Sequence, residues 1–170
     1  MLLRDARPED ALAIAQIHVR AWQAGYRGLI SAESLDRMKA EERAGRYTLG
    51  STDPAQPATL VAEAPGIVGF VTIAPALGAV DAGSGQVAAL HVDPPYWHQG
   101  IGAALLDAAH RRLAGRGFPR AVLWVLVGNE RALRFYRRHG WTPNGRTQSE
   151  EVWGVRIDEV QLERALVRGR

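Results

Sequence analysis

Residues 98–103, HQGIGA, place Gly100 and Gly102 two apart at the head of an apolar run, Ala104, Leu105, Leu106 and Ala108, that reads as a helix. The first turn of a helix exposes N–H groups with no partner inside the helix and carries the positive end of its dipole. Glycine adds to this by removing the Cβ that would hold an anion away. The chemistry expected of His98, Gln99, Gly100, Ile101, Gly102 and Ala103 is therefore phosphate binding, with a pyrophosphate the best fit. A dinucleotide fingerprint is a poorer reading, because its third glycine would fall at Leu105, and Arg120 stands where a ribose-binding acid belongs about 20 residues on.

The elements that position this loop can be read outward from it. Val87, Leu90 and Val92 make a strand, which Pro94-Pro95 stop. After the helix, residues 121–127, AVLWVLV, form a continuous apolar run, the mark of a strand covered on both faces. Strand, helix, strand predicts a parallel pair, 86–92 with 121–127. Upstream, Leu2-Leu3-Arg4 is a short strand, and Pro8 opens a helix to about Ala24 with Ile14, Ala15, His18, Ala21 and Trp22 as its core stripe. Ser31 caps a second helix that runs through Ala40 into a solvated charged stretch, Glu41-Glu42-Arg43. Ala58–Glu63 and Ile67–Ile73 pair as a hairpin, and Pro75–Gly85 reads as a flexible loop. Trp141–Thr147 and Val152–Leu162 form a last hairpin around a polar turn at Gln148-Ser149-Glu150, before a basic tail, Arg164–Arg170. Taken alone, Asn129 is an ordinary helix cap and Phe135-Tyr136 a core aromatic pair.

Two stretches carry a family resemblance. LHVDPPYWHQGIGAALL is similar to the acetyl-CoA signature of the GCN5-related N-acetyltransferases (GNAT), a strand ending L-x-V-x-P followed by Q/R-x-x-G-x-G/A. NERALRFYRRHGW resembles the second signature, N-x-x-A-x-x-x-Y-x-x-x-G-F/W, with Asn129, Ala132, Tyr136 and Gly140 in register. One position departs: Trp97 stands where the first motif has Arg or Gln. The resemblance implies an α/β (mixed α+β) fold and a single domain over residues 1–170. It implies a central mixed, largely antiparallel sheet of six to seven strands, about four flanking helices, and a splayed parallel pair that holds the cofactor. It assigns acetyl-CoA to Leu90, His91 and Val92, to the loop 98–103 and to Asn129, with backbone N–H groups near Leu90 and His91 facing the thioester oxygen. Tyr136 becomes the acid that protonates the leaving thiolate. The base is open: Gln86 stands where some members carry a carboxylate, which leaves His91, an imidazole titrating near neutrality, or a water. Trp22, Tyr26 and Arg27, with Trp153, would border the acceptor cleft.

The implied activity is acetyl transfer to a primary amine, in the first instance that of a small molecule. A protein N-terminal or lysine acetyltransferase is the alternative within the class, and a non-catalytic acyl-CoA-binding sensor the alternative outside it. Composition agrees with a globular enzyme: 170 residues, 46% hydrophobic, 23% charged, and no apolar run near the ~20 residues of a membrane span. The absence of a leader pattern suggests a soluble, cytoplasmic protein. The net charge of +3 is carried by arginine, with Lys39 the single lysine, and no aromatic residues interleave the basic ones as a single-stranded nucleic-acid platform requires. Zero cysteines and five histidines without paired spacing argue against a metal. No partner beyond the amine is implied, although the family leaves room for a homodimer.

Overall fold

The computed structural model describes residues 1–167, so the last three residues of the expected basic tail lie outside the described residues. Seven strands form one sheet: β1 (Leu2–Asp5), β2 (Ala58–Ala64), β3 (Gly66–Pro75), β4 (Gly85–Val92), β5 (Arg120–Leu126), β6 (Thr142–Val152) and β7 (Val155–Ala165). Their order is β1-β2-β3-β4-β5-β7-β6, antiparallel throughout except between β4 and β5. Five α-helices are seen among the described residues: α1 (Ala11–Gly25), α2 (Ala32–Asp36), α3 (Ala40–Ala44), α4 (Ile101–Gly115) and α5 (Glu130–Arg138).

Alternation along the strands gives each face its own core. On one face α4 and α5 cover Val71, Ile73, Val87, Leu123 and Leu162, with Leu105, Leu106 and Leu113 of α4 fully buried among them. On the other, Ile14 and Ile17 of α1 pack on Val61 and Phe70. A third cluster joins Val19 and Trp22 of α1 to Leu35, Met38, Leu126 and Ile157. Each fully buried large side chain of this kind stabilises the fold by roughly 1.5–3 kcal/mol.

Three expectations need correction. The helix expected from Ser31 onward is two short ones, with Arg37, Met38 and Lys39 between them. Ser31 does cap the first, accepting from Ser34 N at 3.2 Å, but five-residue helices persist only through tertiary packing, here of buried Leu35 and Met38. The last hairpin turns at Trp153-Gly154 rather than at Gln148–Glu150, which lie inside β6. Val152 pairs with Val155, and the two residues between have φ of 52° and 70°, the left-handed pair that suits a two-residue hairpin loop. The polar residues that suggested a turn belong to an edge strand, where polarity on both faces costs nothing.

The third correction concerns Pro75–Gly85. A short 3-10 turn, Ala79–Asp81, delivers a buried Asp81 to the sheet, where it accepts from Arg146 Nη1 at 2.7 Å and from the buried Gln161 Nε2 at 2.9 Å. Arg120 Nε donates to Ser84 Oγ at 2.7 Å. The segment is pinned.

Asp81→Ala leaves Gln161 Nε2 buried without an acceptor and frees the loop, and is expected to cost about 2–3 kcal/mol, read as a lower urea midpoint. An unchanged midpoint would show that the loop is held by other contacts. On the opposite face Trp141 Nε1 donates to His110 Nε2 at 3.1 Å, which requires a neutral imidazole, and burial lowers the His110 pKa from 6.5 to about 4. The unfolded state therefore takes up a proton first as pH falls, so stability present above pH 6.5 is lost towards about pH 4. His110→Gln should shrink the fall in Tm between pH 7 and pH 5; equal falls in parent and variant would exclude His110 as a source.

Candidate active site

β4 and β5 share only two paired positions, Gly85 with Ala121 and Gln86 with Val122, and then diverge. The divergence starts where β4 holds one residue too many for β3: Thr72 pairs with Ala89 and Ile73 with Val87, so Ala88 is an unpaired bulge. Beyond it, β4 leans on β3 alone. Asp93 N donates to Val68 O, and ladder alternation then commits the backbone groups of His91 to β3 and turns those of Leu90 and Val92 towards the gap. Val92 O confirms this by accepting from Trp97 Nε1 at 2.7 Å on that side. Of the two backbone N–H groups expected at the thioester, Leu90's therefore faces the opening and His91's does not.

The gap opens into a cleft of about 480 Å³ between β4, the start of α4 and α5. Leu90, His91, Val92, His98, Gly100, Ile101, Gly102, Ala103 and Tyr136 all line it. Gln99 is exposed beside it and donates weakly to Pro95 O at 3.3 Å. His98 and Gly100 take left-handed φ of 62° and 80°, a conformation glycine adopts without strain, and the helix begins immediately after. The first helical bond is Ala104 N to Gly100 O, which leaves the N–H groups of Ile101, Gly102 and Ala103 without an intrahelical acceptor.

Asn129 does not line the cleft. Its buried side chain caps α5, accepting from Ala132 N at 3.2 Å, and so fixes the helix that carries Tyr136. The Tyr136 phenol is raised well above 10, first by burial and then by Tyr26, and stays protonated at neutral pH. Arg131, Arg134 and Arg138 of α5 also line the cleft, as do Phe135 and Trp97. Arg134 and Arg138 fall in a local basic cluster that the sequence shows and that an anionic cofactor explains, whereas Arg131 had not been singled out; the spacing of three and four places all three on one helix face beside the phosphate loop. The Arg131 guanidinium lies 3.8 Å from the Trp97 ring centroid. Trp97 thus replaces the charged residue of the motif with a platform for a charge from α5.

On the α1 side, Trp22, Tyr26 and Trp153 come together: Trp22 lies 4.8 Å from Tyr26 and 5.0 Å from Trp153, between ring centroids. Trp22 is buried, whereas Tyr26 and Trp153 are half-buried. Arg27 is exposed in the turn after α1 and lies outside this aromatic cluster. Its place is taken by Arg43, expected in a solvated run but half-buried, with its guanidinium 5.1 Å from the Trp153 ring and 5.5 Å from Tyr47. His18 stacks on His91 at 4.5 Å and hydrogen-bonds Tyr47 Oη through Nδ1 at 2.9 Å. Burial, with Arg131 and Arg43 adding to it, lowers the His91 pKa to about 3, and His18 is depressed for similar reasons. His91 is thus a poor base at neutral pH. Gln86 sits at the last paired position of the splay, where its carboxamide takes no proton.

Among the described residues no group of His, Asp and Glu could hold a metal ion, and no helix is long and apolar enough to cross a membrane. Residues 13–141 match the model of the acetyltransferase (GNAT) family. Over 164 residues the chain is 27% identical to the uncharacterized N-acetyltransferase YuaI of Bacillus subtilis, covering 94% of this chain and 90% of that one. The fold is similar to that of the PaiA N-acetyltransferase of Thermoplasma acidophilum in complex with coenzyme A, with TM-score 0.71, 21% identity, and 96% and 98% of the two chains covered. It is also similar to that of YncA of Salmonella typhimurium with its cofactor acetyl-CoA, with TM-score 0.72, 19% identity, and 100% and 96% covered. Because the family match spans the splayed pair and both helices that flank it, the chain belongs to the acetyltransferase (GNAT) family and is an acetyl-CoA-dependent N-acetyltransferase.

Proposed function

We propose that the protein acetylates the primary amine of a compact, partly apolar small molecule by direct attack in a ternary complex. The observation that carries this reading is the tip of the β6–β7 hairpin. Trp153 sits there at a φ of 52°, unusual for so large a side chain, and packs on Trp22 and His18 while Arg43 lies over its ring. An aromatic wall built at such a cost to the backbone favours a bounded acceptor pocket over the open groove that an extended peptide needs.

The roles then divide between the two sides of the splay. The free N–H groups of Ile101, Gly102 and Ala103, with Arg134 and Arg138 nearby, bind the pyrophosphate of acetyl-CoA. The N–H of Leu90 faces the gap and stabilises negative charge on the thioester oxygen. Tyr136, protonated and lining the same cleft, gives its proton to the departing sulfur. Tyr26 and Trp153 offer faces to the amine and its apolar body.

Thiol release from acetyl-CoA over a panel of amines and peptides tests the reading, with small amines expected to be preferred; exclusive activity on peptides, or acetyl-CoA binding without turnover on either, would overturn it. Trp153→Asn removes the aromatic face yet suits the left-handed turn, so folding is retained and the KM for the amine should rise by roughly tenfold or more at unchanged acetyl-CoA affinity. Tyr136→Phe should lower kcat by about 10²-fold while calorimetric affinity for acetyl-CoA holds. A loss confined to affinity would make Tyr136 a packing residue.

A further inference from the structure

We propose that Glu159 of β7 receives the acceptor's ammonium group and takes the proton that frees its lone pair, filling the role that Gln86 leaves open; this rests on the reading of the protein as an amine acetyltransferase. Glu159 pairs across the sheet with Leu126, the last residue of β5, and with Gln148 of β6. Side chains alternate along a strand, so Glu159 shares a face with Ile157, which is buried with Trp22 and Leu126 and packed on by Tyr26 and Trp153. The carboxylate is thus on the α1 side of the sheet, at the level where β5 ends and the splay is widest.

Its partners suit a base. Gln148 Nε2 donates to Glu159 Oε2 at 2.7 Å, which fixes the group and leaves Oε1 uncommitted. Among the described residues no arginine or lysine forms an ion pair with it. The groups that face it are Gln148 and Glu150 from β6 and Tyr26 from the end of α1, with Arg131 acting on Tyr26 in turn. Burial raises the Glu159 pKa, the Gln148 bond opposes that, and the like charge of Glu150 adds to it; the net direction is upward, towards the working range of a base at neutral pH. Tyr26 lies within electrostatic reach of both Glu159 and Tyr136, which links the carboxylate's surroundings to those of the cleft acid. A half-buried carboxylate without a cation is unfavourable where it stands, and an incoming ammonium relieves it.

The proton balance is complete with groups already described. Glu159 takes one proton from the ammonium, the nitrogen lone pair forms the N–C bond to the acetyl carbon, and the C–S bond breaks with its electron pair on sulfur. Tyr136 protonates that sulfur, the second nitrogen proton restores the phenol, and Glu159 returns its proton to solvent. One proton is released per turnover.

The test compares the parent with Glu159→Gln and Glu159→Asp by thiol release, using phenethylamine, linear diamines and free amino acids as acceptors, with calorimetric titration of acetyl-CoA alongside. Glu159→Gln is expected to lower kcat/KM for the amine by about 10²-fold at pH 7 and to leave acetyl-CoA affinity unchanged. The deficit should narrow as pH rises and free amine accumulates, and Glu159→Asp should recover part of the rate. Unchanged kcat/KM in Glu159→Gln, a deficit constant with pH, or a loss of acetyl-CoA affinity to match would overturn the assignment. A parent that binds acetyl-CoA but acetylates none of the amines would instead overturn the amine reading, and this inference with it.

Discussion

β4 and β5 are neighbours that stop bonding after two residues, and the site follows from the backbone groups this leaves. A buried N–H or C=O without a partner costs about 1–3 kcal/mol, so a sheet does not part in its middle without compensation. Part of it is internal: the Trp97 indole takes the Val92 carbonyl. The groups of Leu90 that face the gap are of the kind a strand-like amide chain can pair with, which is what the pantetheine arm of acetyl-CoA supplies. The opening is thus a ladder position offered to a ligand.

Holding the two strands apart takes packing from both faces. Gly69 lets α4 lie close over β3 and β4: a Cβ there would stand 3.1 Å from His91 O and 3.1 Å from Leu105 Cδ1. On the other face Arg20 of α1 grips Asp93 with two bonds of 2.8 and 2.9 Å, tying the end of β4 to the helix that carries His18 and Trp22. Asp93 also closes the ladder to β3 through its N–H, so one residue fixes where β4 ends and where the chain turns towards the phosphate loop. The cradle at α4 and the acceptor side at α1 are thereby set relative to the same strand.

How much of this could be read in the sequence depends on the range of the interactions. The order of elements, the parallel pair, the glycines at the head of α4 and Tyr136 on α5 are local patterns, and they were legible. Even the bulge left a trace, since Val87 and Leu90 are three apart where a regular strand would place its apolar residues two apart. The turn at Trp153-Gly154 was missed because tryptophan is a poor resident of a left-handed position, and a nearby polar run looked more like a turn. Asp81 and Arg43 were misread for another reason: each is buried by segments 60 or more residues away, Asp81 by Arg146 and Gln161, Arg43 by Trp153. Glu159 carries no motif and gains meaning only from the register that sets it beside Leu126.

The electrostatics of the two sides are opposed, and each suits its half of the reaction. On the α4–α5 side the charges are arginines at the rim of the cleft, set around a helix N-terminus, which draws in a polyanionic co-substrate. On the α1 side, burial first and the nearby Arg43 and Arg131 guanidinium groups second disfavour any further positive charge: His18 and His91 are held neutral, and burial pushes the Tyr26 phenol up to about 12. An amine attacks as the free base, and an environment that disfavours cations on its own histidines also disfavours the ammonium form of a substrate, provided that some group accepts the proton. Imidazoles depressed in this way are poor proton acceptors at neutral pH. The carboxylate at the edge of that aromatic cluster is therefore the group whose chemistry the neutral interior calls for.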